Sequence, residues 1–422
     1  MSNGKYRAEK VKDLNWEKLN QTTQDHAVVF SVDVAKEDMY GALMIEKDDT
    51  VVILKWKHPI ETLEIVKQIR KRLKCKSLVV ALEPSGTYGD PVIHQFRQFG
   101  VDVYRVSPKK TFDAKELYDG VPSLHDGKSA YIIGRLHLDG NSKLWEERPK
   151  KQRELSALVE ILNLYQSGYQ QNLNRLEGKL ARHWPEVLPL LPLDSVTLEQ
   201  LLIEYGTPRE IGANAMRAKG LMRRVGRSGL TEEKIEAVLS SAMHSLGEPS
   251  IETEVDALQA LLHELQHLRL LKKKAQRRVE KASVEDQGIR CLSDVVGRVT
   301  AAVIVAKLGD STDYASSDSY MKAMGLNLKE KSSGKHKGQK KISKRGPSLV
   351  RLYLYFVALR LVRKDPVVRA WYEKKVGRDG GKLKMKGLVA VMRKVAKALW
   401  YVGHGEAFDS SRLFNRAALD LD

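Results

Sequence analysis

The stretch HAVVFSVDVAKEDMYGALMIEKDDTVVILKW, residues 26–56, contains three apolar runs separated by short polar segments. The runs lie at 26–34, 39–45 and 50–56 and are rich in Val, Ile and Leu. Runs of this length that are rich in β-branched residues favour strands over helices. The stretch therefore predicts three successive strands, which begin a β-sheet.

Helices and strands alternate after this stretch. Helical periodicity at 61–73 and a second helix at 91–99 surround the buried run SLVVAL at 77–82. The run VDVYRV at 101–106 predicts a further strand, and a helix is expected at 129–138. This order of elements predicts an α/β domain with a mixed sheet.

The composition indicates a folded protein with basic surfaces. Of the 422 residues, 42% are hydrophobic, and the formal net charge is +19. This charge favours a nucleic-acid partner over an anionic membrane surface. Without a run of about 18 apolar residues, no membrane span is expected. Two distant cysteines, Cys75 and Cys291, favour a reducing compartment, and we expect the bacterial cytoplasm with association to the nucleoid.

The patterns divide the chain into four regions. We expect a polar N-terminal arm or short leading helix at 1–25, an α/β domain at 26–148, a helical region at 149–287 and a mainly helical C-terminal domain at 288–422. The helical region carries apolar residues in steps of three and four on two long helices, which flank an insert at 190–250. The two helices could form an antiparallel hairpin within one chain or an oligomerising stalk.

Three carboxylates stand where metal binding is favoured. Asp33 lies in the apolar run FSVDVAK, Glu83 follows SLVVAL, and Asp126 precedes the helix at 129–138. A carboxylate in a buried strand is costly unless it is paired or binds a cation. Each could instead be a helix cap or an ion-pair partner, and Asp126 alone favours an N-cap. Together they predict an RNase H-like site for Mg²⁺, with Mn²⁺ as an alternative.

The segment MGLNLKEKSSGKHKGQKKISKRGPSLVR, residues 324–351, contains two adjacent serines, Ser332 and Ser333, within a run of cations. Such a segment is expected to be solvated and to lie along a polyanion. The hydroxyls could bind a phosphate or attack one. The side chains expected to neutralise phosphates are Lys335, Lys337, Lys340, Lys341, Lys344, Arg345 and Arg351.

Several motifs in this order resemble one family. They are VFSVDVAK, VALEPSGTYG, VDVYRVSP with HDGKSA, VVGRVTAAVIVAKLGD, MGLNLKEKSSGK and ISKRGPSLVRLYL. Their order across residues 26–400 resembles that of the IS110-type transposases, also called DEDD recombinases, and of their pilin-gene-inverting relatives. The run VVGRVTA also resembles a helix–hairpin–helix turn, whose backbone amides can hold a phosphate.

The resemblance implies a fold and a chemistry. It implies a RuvC-like domain of RNase H fold, a coiled-coil linker and a C-terminal transposase domain. It also implies a four-acid metal site and a covalent phosphoserine link to DNA, with Ser333 as the nucleophile and Ser332 as the alternative. The implied partners are donor and target DNA, a bridge non-coding RNA, and further copies of the chain in a dimer or tetramer.

The sequence departs from the family pattern at the last two acids, which the family places three residues apart. Here Asp126 has Ser123 three before it and Ser129 three after it. Asp119 or Asp113 could supply the missing ligand from a neighbouring loop. Two further departures are Asn327, where the family has Pro, and Arg298, where it has Gly.

Competing functions are an RNase H-like nuclease or junction resolvase that uses metal-activated water, an RNA-free site-specific invertase, and a non-catalytic nucleic-acid-binding protein. In the favoured interpretation, Ser333 attacks phosphorus at a site held by Asp33, Glu83 and Asp126. A serine hydroxyl is a poor nucleophile at neutral pH, so the two domains are expected to close on one another during catalysis.

Overall fold

A computed structural model describes residues 6–46, 49–84, 86–330, 340–378, 380–381 and 383–414. The chain divides into two compact units, Met1–Glu147 and Arg148–Asp422. The first unit contains a mixed seven-stranded sheet, and the second is predominantly helical. An α/β domain followed by a helical region is therefore confirmed, whereas the RuvC-like and coiled-coil assignments stay predictions.

Among the described residues, the N-terminal unit contains seven strands and five α-helices. Its strands are β1 (Ala8–Lys10), β2 (Ala27–Asp33), β3 (Asp38–Glu46), β4 (Asp49–Lys57), β5 (Ser77–Leu82), β6 (Asp102–Val106) and β7 (Ser142–Leu144). Its helices are α1 (Trp16–Thr23), α2 (Thr62–Arg72), α3 (Asp90–Gln98), α4 (Pro108–Asp113) and α5 (Asp126–Leu138).

The sheet has the strand order β1-β4-β3-β2-β5-β6-β7. The strands β2, β3 and β4 form an antiparallel meander, whereas β5 and β6 continue parallel to β2 through helical crossovers. All five strands expected from apolar runs are present within one or two residues of their predicted ends. The helix expected at 129–138 begins three residues earlier, at Asp126, so this carboxylate is part of the helix.

Each face of the sheet is covered by helices, and alternation along the strands decides which side chains each face buries. In β2, Phe30 and Val32 face the core that includes α2 and α3. Val29 and Ser31 face the opposite side, where α5 packs on β2 and β3. The hydroxyl of Ser31 donates to the Ala130 carbonyl of α5 at 2.7 Å, so the helix is fixed against the strand.

Residues 6–25, the described part of the predicted arm or leading helix, pack onto the N-terminal unit and contain a short helix, α1. Their strand β1 pairs in parallel with β4 and forms one edge of the sheet, and Trp16 and Leu19 of α1 are buried in the core beside α2. The polar composition of this segment did not indicate that it packs on the sheet, because an edge strand of three residues and a short amphipathic helix each bury few side chains.

The C-terminal unit contains twelve helices and one short β-ribbon among the described residues. The helices are α6 (Lys150–His183), α7 (Val196–Tyr205), α8 (Pro208–Ala213), α9 (Ala215–Gly226), α10 (Glu232–Met243), α11 (Glu252–Ala282), α12 (Gln287–Val296), α13 (Arg298–Leu308), α14 (Ser317–Ala323), α15 (Ser348–Lys364), α16 (Pro366–Gly377) and α17 (Lys384–Gly403). The ribbon pairs β8 (Leu328–Lys329) with β9 (Lys341–Ile342).

The long helices α6 and α11 pack against each other as an antiparallel pair within one chain. The first half of α6 and the last half of α11, with Leu155 and Val279, share a core with α12 to α17. The other halves, with Leu176 and Leu262, share a second core with the insert helices α7 to α10. Trp184, which is fully buried, lies in this second core. The hairpin alternative is thus the arrangement found in the chain.

Candidate functional site

Asp33 is the last residue of β2, and Glu83 directly follows the neighbouring parallel strand β5. Because Val32 of β2 pairs with Leu82 of β5, the next residue of each strand lies at the same edge of the sheet. Both side chains are half-buried. The carboxyl ends of parallel strands are the usual place for ligand sites in α/β folds, since the chain leaves the sheet there. The sheet topology therefore brings two of the predicted ligands side by side.

Asp126 enters the same region from the helix that covers this face. It is the first residue of α5 and is exposed, and the helix is capped by the His125 ring, which accepts from the Lys128 amide at 3.4 Å. Asp126 is therefore not the N-cap, and its carboxylate stays available for another partner. Asp126 and Glu83 both act electrostatically on Asp33, so the three predicted acids are neighbours in the region where β2, β5 and the start of α5 lie.

The three neighbouring carboxylates repel one another unless a cation lies between them. The pKa of Asp33 is raised to about 7, mainly by burial and also by the nearby carboxylates of Glu83 and Asp126. The opposing influence is a hydrogen bond from the Ser129 hydroxyl. Like charges that share a site disfavour ionisation unless a positive group compensates them. The donor set is made of oxygens, which is the set that Mg²⁺ prefers.

The three acids are neighbours but do not form a closed ligand cage. Within the described parts of the chain, no three acidic, His or Cys side chains converge closely enough to count as an assembled metal site. Mg²⁺ usually keeps several waters and takes only one or two carboxylates, so an open arrangement fits it. The residues that would hold it are Asp33, Glu83 and Asp126.

Ser129 also belongs to this candidate site, and its contact with Asp33 was not predicted from the sequence. It lies three residues after Asp126, on the same side of α5, and is buried against Asp33. The usable signal was the helical spacing of three, which places residues 126 and 129 on one face. Ser123, the other candidate for the missing acid position, is exposed in the loop before α5.

Asp119 and Asp113 have other partners. The Asp119 carboxylate accepts from the Lys128 ammonium at 2.8 Å and from the Tyr6 hydroxyl at 2.9 Å. These hydrogen bonds, of which that from Lys128 is the strongest, lower the pKa of Asp119 against the opposing effect of burial. Asp113 pairs with Lys109 on the surface of α4 at 2.6 Å. Neither carboxylate is among the charges that act on Asp33.

The predicted nucleophile lies outside the described residues. Ser333, the alternative Ser332, and the cations Lys335 and Lys337 all fall within 331–339, which the structure does not describe. The strands β8 and β9 flank this segment and pair with each other through Leu328 and Ile342 and through Lys329 and Lys341.

The remaining predicted cations lie on and after the ribbon. Lys341, Lys344 and Arg345 are exposed, and Lys340 pairs with Glu330 across the ribbon at 3.3 Å. Exposed side chains of this kind keep their charge available to a polyanion, whereas Lys340 is partly neutralised by its partner.

Arg351, also predicted to bind phosphate, has its guanidinium turned toward the backbone of the chain. Its guanidinium donates to the carbonyls of Met324, Gly346 and Pro347, the closest at 2.7 Å. The side chain is half-buried, and burial lowers its pKa. Arg351 therefore joins the chain segment before β8 to the segment after β9. Its guanidinium binds backbone carbonyls of the chain itself.

Asn327, which departs from the family pattern, also joins the chain segments on either side of the ribbon. Its backbone carbonyl accepts from the Ser343 amide at 2.8 Å, and its side chain accepts from the Ser343 hydroxyl. These contacts extend the pairing of β8 and β9 by one residue of each strand.

The turn in VVGRVTA is a helix–turn–helix. α12 ends at Val296, Gly297 adopts a φ of +84°, and α13 begins at Arg298. A positive φ favours glycine because it has no Cβ to clash with the backbone. The guanidinium of Arg360 from α15 donates to the Val295 carbonyl and closes the end of α12. The helical part of the prediction is confirmed, and phosphate binding by the amides stays a prediction.

Acidic residues at an open sheet edge and a basic ribbon in a helical unit define a candidate nucleic-acid-processing protein. Residues 293–373, from within α12 to within α16, match the family model described as Transposase IS116/IS110/IS902 family. The match supports this family and, with it, a transposase or recombinase that acts on DNA. No curated protein matches the chain. None of the described helices combines the length and apolarity that a membrane crossing requires.

Proposed function

We propose that the protein is the transposase of an insertion sequence and that it cuts and rejoins DNA through a covalent phosphoserine intermediate. The observation that carries the proposal is the proximity of Asp33 and Glu83 at one edge of the sheet, with Asp126 near enough to act on Asp33, in a chain whose segment 293–373 matches the transposase family. The mixed strand order, an antiparallel meander followed by parallel crossovers, supports an RNase H-like domain as the frame of this site.

In this proposal the three carboxylates would hold Mg²⁺, which supplies Lewis-acid polarisation of the scissile phosphate. Ser129 keeps Asp33 oriented toward the site through its hydrogen bond. Carboxylates that bind metals are commonly held in place by a hydrogen bond from a neighbouring side chain.

The Oγ of Ser333 attacks phosphorus and loses its proton, the bond from phosphorus to the 3′-oxygen of the deoxyribose breaks, and the leaving oxygen takes up a proton. The new serine phosphodiester replaces the broken one, so rejoining requires no nucleotide cofactor. The exposed cations Lys341, Lys344 and Arg345 neutralise the DNA backbone beside the serine.

A suicide DNA substrate tests the nucleophile. The native protein and Ser332→Ala should give a protein–DNA adduct that survives denaturation, whereas Ser333→Ala should give none. Mass spectrometry of the adduct should locate the phosphate on Ser333. Cleavage without any adduct would support the competing nuclease, in which water attacks and both serines only bind phosphate.

Asp33→Ala separates chemistry from binding. We expect metal-dependent cleavage to fall by at least about a hundredfold, while DNA affinity changes little because binding depends mainly on cations. Loss of cleavage and binding together, with a lower melting temperature, would show that Asp33 is structural.

A bridge RNA transcribed from the element is part of the proposal. Its support is the family match, since +19 charges favour RNA and DNA alike. Sequencing RNA that copurifies with the protein tests it: enrichment of one structured transcript from beside the gene is expected, and nuclease removal of that transcript should abolish recombination. Recombination that persists without RNA would instead identify an RNA-free invertase.

A further inference from the structure

A row of paired residues crosses the sheet and ends at the carboxylates. Lys10 of β1 pairs with Lys55 of β4, Lys55 pairs with Tyr40 of β3, and Tyr40 pairs with Asp33 of β2. Residues directly opposite each other on neighbouring strands point to the same face of a sheet. The row therefore leads from two lysines, past a tyrosine, to the first carboxylate.

The face is the one that α5 covers, as the alternation along each strand shows. The parallel row two residues away, made of Ala8, Ile53, Ala42 and Ser31, faces the α5 side of the sheet. The row lies one step beyond, where the first residue of α5 is Asp126. The first residue of α5 therefore lies beside the row. The helix does not cover the row beyond this point, so part of the row is left open.

The open part of the row forms a polar cleft. A cavity of about 450 Å³ is lined by four lysines, Tyr40, the ion pair between Lys57 and Asp38, and a second carboxylate, Glu61. The lysines that line it are Lys10, Lys12, Lys55 and Lys57. Within the described residues, Lys10 and Lys55 form no ion pair, so their charges are available to a ligand.

We propose that Lys10, Lys55 and Tyr40 form a track for the backbone of the DNA strand whose scissile phosphate reaches Asp33, Glu83 and Asp126. The inference rests on the proposed function, since it takes DNA as the substrate of the acids. Neighbouring strands lie about 4.8 Å apart, so Lys55 is about 10 Å from Asp33 along the row. The lysines bind phosphates just outside the acidic site, where the acids themselves would repel the strand.

Tyr40 lies between the lysines and the acids. Its ring packs partly against the α5-side core, and it lines the cleft. A neutral phenol can donate a hydrogen bond to a phosphate oxygen without adding charge. The track thus passes from positive to neutral to negative side chains over three neighbouring strands.

The salt dependence of DNA binding tests the track. The full-length protein is kept in EDTA, and a fluorescein-labelled single-stranded DNA of mixed sequence is titrated at several KCl concentrations. For Lys10→Gln/Lys55→Gln, the slope of log affinity against log salt should fall by about 0.7 for each lysine. The matched control is Lys67→Gln/Lys71→Gln, which removes two exposed charges from α2 on the opposite face. Its slope should change much less.

Crosslinking locates the contact. A DNA strand that carries 4-thiothymidine should crosslink to peptides from β3 and β4, and the double variant should lose this crosslink. Equal slopes for the double variant and its control, or crosslinks that avoid β3 and β4, would overturn the track. The same would follow if only an RNA strand of the same sequence depended on Lys10 and Lys55.

Cleavage separates this inference from the proposed function. If the track and the proposed function both hold, Lys10→Gln/Lys55→Gln weakens cleavage mainly at low DNA concentration, and Asp33→Asn abolishes cleavage with its salt slope unchanged. If Asp33→Asn still cleaves DNA, the metal-site proposal fails, and the slope and crosslink still decide the track.

Discussion

The hydroxyl of Ser129 on α5 donates a hydrogen bond to the carboxylate of Asp33 at the end of β2. Ser129 lies three residues after Asp126 and is, with Ser123, one of the two positions that could correspond to the other aspartate of the resembling family. A hydroxyl there supplies one hydrogen bond and no charge, so it eases the repulsion among the three acids. In the proposed site, Ser129 would therefore orient Asp33 without adding a charge.

Changing Ser129 tests whether it acts through Asp33. Ser129→Ala should weaken Mg²⁺ affinity about tenfold or more, because loss of a hydrogen-bond partner beside a ligand carboxylate typically costs that much. Ser129→Thr retains the hydroxyl and should restore most of the affinity. Isothermal titration with Mg²⁺ measures both variants. Equal affinities for Ser129→Ala and the native protein would show that the hydrogen bond does not support the site.

The stability of the N-terminal unit should fall as pH rises in the absence of a divalent cation. The pKa of Asp33 rises from 3.8 to about 7 on folding, so folding favours the protonated form. This contribution is fully present below pH 3.8 and is lost as pH rises through about 7, by at most about 4 kcal/mol. Asp33→Asn should remove this part of the pH dependence.

Melting curves in EDTA at pH 5 and pH 8 measure the effect. Asp102→Asn, at the exposed first residue of β6, removes the same charge elsewhere and serves as the control. Mg²⁺ added at pH 8 should stabilise the native protein, by about 2.7 kcal/mol at a hundred times its Kd, and should not stabilise Asp33→Asn. An unchanged pH slope in Asp33→Asn would contradict the assignment.

Asp119→Asn should destabilise the fold and leave the metal site intact. Its partner Lys128 is 2% exposed and would keep a charge without a carboxylate, and such losses cost about 3 kcal/mol or more. Lys128→Met/Asp119→Asn removes both charges and should recover part of the loss. Chemical denaturation measures the free energy of unfolding, and titration measures Mg²⁺ binding. A selective loss of Mg²⁺ affinity in Asp119→Asn would instead make it a ligand.

Gly346→Ala should disturb the base of the ribbon. A Cβ at this position would meet the backbone carbonyl oxygen of Ala323 at 2.3 Å, so the two segments that Arg351 joins must move apart. We expect a destabilisation of at least about 1–3 kcal/mol and a matching loss of the protein–DNA adduct.

Gly220→Ala is the matched control for Gly346→Ala, since nothing lies within 4 Å of its Cβ in α9. It should stabilise the helix by about 0.5–1 kcal/mol and leave the adduct unchanged. Both variants can be compared by melting temperature and by adduct yield on the suicide substrate. Equal behaviour of the two variants would show that the close approach at Gly346 is not required.

Local patterns were enough to predict most elements of the fold. The apolar runs of β2 to β6 and the helical periodicity of α6 and α11 are set by neighbours in sequence, because burial of one face imposes a period of two or about 3.6. The same reasoning pointed to Asp33 and Glu83, since a carboxylate at the end of an apolar run is costly without a partner.

The contacts between distant segments were decided by the tertiary structure alone. Pairing of β1 with β4, the hydrogen bond from Ser129 to Asp33 and the ion pair between Lys128 and Asp119 join residues whose local sequence gives no sign of the partner. Strand register is the physical reason, since it fixes which side chains of different strands share a face. Register places Asp33 beside Glu83 and puts both at the end of a row of lysines.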